Sequence, residues 1–171
     1  METLNAMSER HSSRSYQVRE VPRDLLEKIV DAGRLAATAR NEQPWEFIVV
    51  TDAAMRHTIA DVTEYGKHIA QAPACVAVFC RDTKYYLEDG SSATQNMLVA
   101  AASLGVQSCW VAGDKKTYVK DVSRLLGVPV GFRLVSLVAL GYEKTAPPRV
   151  PKRALDQVLH WDTFTPVRRP A

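Results

Sequence analysis

Cysteine is scarce. The chain has three in 171 residues, an odd count with no Cys-x-x-Cys. Cys75 and Cys80 are separated by an odd interval in an apolar run, so on a strand they face opposite sides and cannot share a metal. The four histidines (His11, His57, His68, His160) form no His-x-x-x-His pair, and no metal site is expected. Gly-x-Ser-x-Gly is absent, which removes the usual hydrolase elbow, and so is the Gly-x-Gly-x-x-Gly of a dinucleotide fold. No apolar run is long enough to span a bilayer. The start, Met1-Glu2-Thr3-Leu4-Asn5, lacks an apolar signal core, so the expected compartment is the cytoplasm, with no membrane partner. Net charge is only +3, with no recognisable nucleic-acid reading motif, so a DNA- or RNA-binding role is disfavoured.

What is present is an ordinary globular composition, 46% apolar and 24% charged, in a chain long enough to bury a core as one domain over 1–171. Basic residues gather at the ends: Arg10, Arg14 and Arg19, then Arg149, Lys152, Arg153, Arg168 and Arg169. This pattern suits a local anionic ligand. Arg10, Ser12 and Arg14 alternate and project from one side if the segment is extended, giving two planar guanidinium forks around a hydroxyl. That is a phosphate cup, although a solvated basic turn has the same composition.

Periodicity sets the elements. A helix opens near Pro22 and carries Leu25, Leu26, Ile29, Val30 and Leu35 on one face. Strands are expected over 46–51, 74–80, 106–111 and 133–140, the first two buried on both faces. Asp52 is expected to cap a helix reaching about Asp61. Asp89 or Ser91 is expected to cap a long Ala-rich helix stopped by Gly105, and a further helix is expected over 114–126 before Gly127 and Pro129. An arm with prolines at 147, 148 and 151 follows, then a strand or helical turn at 154–160. The order α–β–α–β–α–β–α–β argues for a layered α/β or α+β domain. Between the first helix and first strand sit Thr38, Arg40, Asn41 and Gln43, closed by Pro44 and Trp45. A simple connector would more often carry Gly, Asp or Ser. Hydrogen-bonding side chains on so stiff an exit suggest a ligand-binding edge.

Taken together, five stretches resemble one family. They are Arg10-His11-Ser12-Ser13-Arg14, the run from Leu35 to Phe47, the helix from Asp89 to Gly105, Leu126-Gly127-Val128-Pro129 with Val138-Ala139-Leu140-Gly141-Tyr142, and Arg153-Ala154-Leu155-Asp156-Gln157-Val158-Leu159-His160. In order, they resemble the nitroreductase family of FMN-dependent oxidoreductases.

The resemblance implies an α+β fold, a three-layer α-β-α sandwich around a mainly antiparallel sheet of four to five strands. It implies a homodimer with the 143–171 arm exchanged onto the partner. FMN would be bound, with NAD(P)H as donor and a nitroaromatic, quinone or similar acceptor reduced in ping-pong fashion. Arg10, Ser12 and Arg14 would hold phosphate and ribityl, with Arg153 completing the site; Arg149 and Lys152 compete for that last role. His11 would touch the flavin through backbone or ring. Thr38 and Asn41 would reach flavin and ribityl oxygens across the interface. Trp110 and Val111 would wall the ring, and the amides of Ala112 and Gly113 would face flavin N5 and O4. Tyr65 could reach the substrate. The family's usual proline and serine are here Ala37 and Thr38, and its tail proline is Ala154. No side-chain base is required. Cys109, inside an apolar strand, reads as a packed hydrophobe before it reads as a nucleophile. The alternatives are a specialised relative (dehalogenase, flavin-fragmenting or dehydrogenase type) or a non-catalytic flavin or nucleotide binder.

Overall fold

β2 (Ala74–Arg81) shows how the sheet is placed. Its odd-numbered residues Cys75, Ala77 and Phe79 enter one core, and its even-numbered residues Ala74, Val76, Val78 and Cys80 enter another. A strand covered on both faces needs a continuous apolar run, and this one has it. Burial pushes the thiols of Cys75 and Cys80 up to about 12, so neither is a ready nucleophile.

The computed structural model describes residues 2–164; Arg168, Arg169 and the end of the arm lie outside them. β1 (Trp45–Val50), β2, β3 (Gln107–Ala112) and β4 (Phe132–Gly141) form one antiparallel sheet in the order β1-β2-β4-β3. The helices are α1 (Thr3–Glu9), α2 (Arg23–Arg34), α3 (Ala53–Val62), α4 (Tyr86–Ser103) and α5 (Val119–Leu125). α2 and α4 cover one face through Leu26, Ile29, Ala93, Met97 and Ala101. On the other face lie α3, α5 and the 3₁₀ turn Lys67–Ala70, through Ile59, Val122 and Ile69. The three layers match the expected architecture. Met55 N–H donates to the Asp52 carboxylate at 2.7 Å, the expected cap of α3.

Several boundaries differ from expectation. β1 is not buried on both faces: Glu46 and Val49 are exposed, because β1 forms the sheet's edge. α4 starts a turn before Asp89, so Asp89 is a helix residue and not its cap. α5 starts at Val119 because residues 113–118 are turns, with Lys115 in the left-handed region at φ 58°. Residues 154–160 hold only the 3₁₀ turn Leu155–Gln157.

The register between β2 and β4 slips at Val78/Phe79. Val78 pairs with Ser136 and Phe79 with Leu134, leaving Val135 as the extra residue of a β-bulge. Ser136 is buried, its hydroxyl 2.8 Å from that of Thr94 on α4. The bulge sits beside the end of β3.

Candidate active site

β3 is the second edge of the sheet, and residues 10–16 run along its start. Ser12 bridges Ser108 in parallel, and Ser13 N–H donates to the Ser108 carbonyl at 3.0 Å. Tyr16 is buried, bridges Glu143, and donates its hydroxyl to the Ser13 carbonyl at 2.7 Å. The segment is therefore extended, as the alternation of Arg10, Ser12 and Arg14 requires. Among the described residues neither Arg10 nor Arg14 has a hydrogen bond or ion pair from its guanidinium. Both charges, with the Ser12 hydroxyl, act on the Cys109 thiol. Burial raises that thiol first and these groups lower it, with a net upward shift.

His11 is committed elsewhere. Its Nδ1 faces the Glu9 carbonyl at 3.0 Å and its Nε2 faces the Glu143 carboxylate at 3.0 Å. The ring is thus not available to a ligand, and only its backbone remains for the expected contact.

The other end of β3 carries the expected ring contacts, and two of them need correction. Gly113 N–H donates to the Val135 carbonyl at 3.0 Å, so that amide belongs to the sheet. Residues of an antiparallel edge alternate between facing the partner strand and facing outward. Ser108 faces outward to Ser13, so the amides of Trp110 and Ala112 face outward too. Ala112 is exposed, and its carbonyl accepts from the Tyr118 hydroxyl. The free amide at this end is that of Ala112 and not that of Gly113. Trp110 and Val111 also do not wall one ring together. Val111 is buried under α3 and α5, whereas Trp110 is half-buried on the α2–α4 face. The period of two in a strand separates them.

Gly113 has another function. A Cβ there would lie 2.6 Å from Leu134 Cγ and 2.8 Å from the Leu134 carbonyl oxygen. Backbone cannot yield as a side-chain tip does. Gly113→Ala is expected to cost about 1–3 kcal/mol in urea unfolding. An unchanged midpoint would show that residues 112–114 shift without cost. Beside it, Tyr86 donates to the Asp114 carboxylate at 2.5 Å, which together with burial holds the phenol up at about 12.

Thr38 and Asn41 are not brought to this edge within one chain. Their loop enters β1, and strand order puts β2 and β4 between it and β3. The loop is strained, with Arg40, Asn41 and Gln43 all at positive φ. Such non-glycine geometry persists only where the surroundings impose it. The Thr38 hydroxyl accepts from Gln43 N–H at 3.3 Å, and Ala39 N–H donates to the buried Asp89 carboxylate at 2.9 Å. Asp89 was not expected in this role; a lone Asp in a helix pattern signals a cap before it signals a loop anchor. Asn41 is left exposed. Arg149 pairs with Glu9 at the end of α1, next to Arg10, while Arg153 is exposed and has no ion pair among the described residues. Tyr65 is exposed, with Lys116 Nζ 5.9 Å from its ring centroid.

The nitroreductase family matches residues 7–77 and 64–142. A protein of Methanothermobacter thermautotrophicus named NADH dehydrogenase/NAD(P)H nitroreductase is 36% identical over 86% of this chain and 80% of its own. One of Archaeoglobus fulgidus with the same name is 36% identical over 84% and 86%. The crystal structure of another so named, from Bacteroides thetaiotaomicron, superposes at TM-score 0.89 with 27% identity, over 95% of this chain and 98% of that one. An FMN-dependent nitroreductase from Clostridium difficile superposes at TM-score 0.88 with 25% identity, over 94% and 99%.

Proposed function

Because the chain belongs to the nitroreductase family, we propose that it is an oxidoreductase that holds FMN along the outer edge of β3. It would spend NAD(P)H to reduce a nitroaromatic, quinone or similar acceptor. The observation that carries this reading is the row of available groups along that edge. Two guanidiniums with no hydrogen bond or ion pair among the described residues stand at one end, beside the Ser12 hydroxyl that contacts the Cys109 thiol, and the outward amide of Ala112 stands at the other. β3 spans roughly 17 Å at about 3.3 Å per residue, the length class of an extended flavin mononucleotide. These residues fit the cofactor: charge for its phosphate, an edge amide for its ring.

Bound FMN would supply the redox chemistry linking a nicotinamide donor to the acceptor. The chain's own residues bind and orient. Arg10 and Arg14 would hold the phosphate by charge, and the outward Ala112 amide would offer a hydrogen-bond donor and fixed dipole to the ring. Donor and acceptor alternate in one pocket, which needs no dinucleotide fold. Residues 63–70 are tied down: Lys67 Nζ donates to the carbonyls of Ala60 and Asp61, and Arg56 to those of Ala70 and Ala72. So short and anchored a segment suits an open pocket that takes acceptors of varied shape, with Tyr65 at its mouth.

The working form would be a homodimer of this single domain, in the cytoplasm. The arm supports this: Val150, Leu155, Trp161 and Phe164 are exposed. So does a groove of about 1480 Å³ along α2 and the open edge of β1, lined by Val21, Leu26, Trp45 and Phe47 among others. A second copy's arm would fill it, and Thr38 and Asn41 would then face the second copy's cofactor. Anaerobic addition of NADH or NADPH to the FMN-loaded protein is expected to bleach its visible absorbance, and a quinone or nitroaromatic to restore it. Absorbance that neither nucleotide bleaches would leave the chain a passive binder.

A further inference from the structure

The loop between α2 and β1 does not hold its own shape. Arg40, Asn41 and Gln43 lie at φ 56°, 56° and 46°, and no residue from 37 to 43 is buried. Side chains other than glycine avoid that region, so something must impose it. Inside the loop, Asn41 N–H donates to the Thr38 carbonyl at 3.2 Å and Glu42 N–H to the Ala39 carbonyl at 3.1 Å. From outside, three bonds reach it from one stretch, residues 81–89, where β2 passes into α4. Arg81 N–H donates to the Pro44 carbonyl at 2.9 Å, and its guanidinium donates to the Glu42 carbonyl at 3.0 Å. Asp89 accepts from Ala39 N–H at 2.9 Å. The loop is thus gripped on both sides of its left-handed residues.

The gripping stretch is itself fixed. A Cβ on Gly90 would lie 2.6 Å from Val135 Cγ2 and 2.9 Å from Cys80 Sγ, so the start of α4 sits hard against the sheet. Asp82 pairs with Arg133 at 2.8 Å, and Tyr86 donates to Asp114 at 2.5 Å. Asp89 is 4% exposed, and its Oδ2 has no hydrogen-bond partner among the described residues. A buried carboxylate so thinly satisfied needs a cause. The bond that its other oxygen makes is to this loop.

We infer that Arg81 and Asp89 are positioning residues for flavin binding: they hold the loop in the one shape that presents Thr38 and Asn41 to the cofactor. The inference rests on the FMN reading above. The Thr38 hydroxyl accepts from Gln43 N–H, which aims it and leaves its hydrogen to donate outward. The Asn41 side chain is exposed beside it. A loop already in shape loses little freedom when the ligand arrives, so the grip raises affinity without touching FMN. Arg81 and Asp89 act only through the loop, and that sets them apart from Arg10 and Arg14, which meet the ligand themselves.

The test is a double-mutant cycle on the full-length protein, read by FMN fluorescence titration. Asp89→Ala and Arg81→Ala are each expected to weaken FMN binding roughly three- to tenfold, the range for one hydrogen bond. Arg81 is exposed, so Arg81→Ala keeps the test usable if Asp89→Ala does not fold. Asp89→Asn retains an oxygen for Ala39 N–H and should bind within about threefold of wild type. In a Thr38→Ala/Asn41→Ala background, itself weaker than wild type, Asp89→Ala and Arg81→Ala should each change affinity by less than about twofold. A general loosening of the fold would instead weaken binding equally in both backgrounds. That equal loss, or unchanged affinity in both alanine variants, or a Thr38→Ala/Asn41→Ala protein that binds FMN as wild type does, would overturn the inference. A wild type that binds no FMN would sink the FMN reading itself.

Discussion

Arg14→Ala is expected to weaken FMN binding roughly ten- to hundredfold, the range for losing a hydrogen bond to a charged group. Arg14 makes no ion pair among the described residues and is exposed. Its removal should therefore leave stability within about 0.5 kcal/mol, as for surface changes away from structural contacts. That separation of effects is the point of the variant: flavin fluorescence titration should move and urea unfolding of the apo protein should not. Arg10→Ala offers an internal comparison, because Arg10 N–H also closes α1 onto the Ala6 carbonyl through its backbone, which the substitution keeps. Equal FMN affinity in wild type and Arg14→Ala would remove Arg14 from the phosphate site.

Phe79→Ala is expected to cost about 3–5 kcal/mol of stability. Phe79 is fully buried at the register slip between β2 and β4, facing α3 and α5. Its ring shares one core with Leu134 while Val135 belongs to the core on the other face, so its loss leaves a cavity among well-packed neighbours. Urea unfolding at fixed protein concentration measures this through the midpoint, with the slope unchanged. Saturating FMN should recover part of the loss, about 2.7 kcal/mol at a hundred times the dissociation constant. A loss under about 1 kcal/mol would show that the two strands collapse onto the vacated space, contrary to the register described.

The legible parts of this fold are those where one local rule decides. β2 read as a buried strand because both its faces are covered, and Asp52 read as a cap because its carboxylate acts on its own helix. The illegible parts depend on partners distant in sequence. Asp89 looks like a helix cap until Ala39, fifty residues earlier, takes its carboxylate. The Gly113 amide looks free until the Val135 bulge claims it, and no pattern in 130–140 announces a bulge. The His11 ring looked available for a flavin contact and is engaged by Glu9 and Glu143, which leaves its backbone. The extended path of residues 10–14 was readable because alternation is itself a local rule.

The measurement that bears most directly on the account is the visible spectrum of the full-length protein purified without added flavin, followed by FMN titration. Expected are the absorption bands of bound oxidised flavin, or their appearance on titration up to one FMN per chain with quenching of flavin fluorescence. A colourless protein whose fluorescence and thermal midpoint are both unmoved by FMN would contradict it.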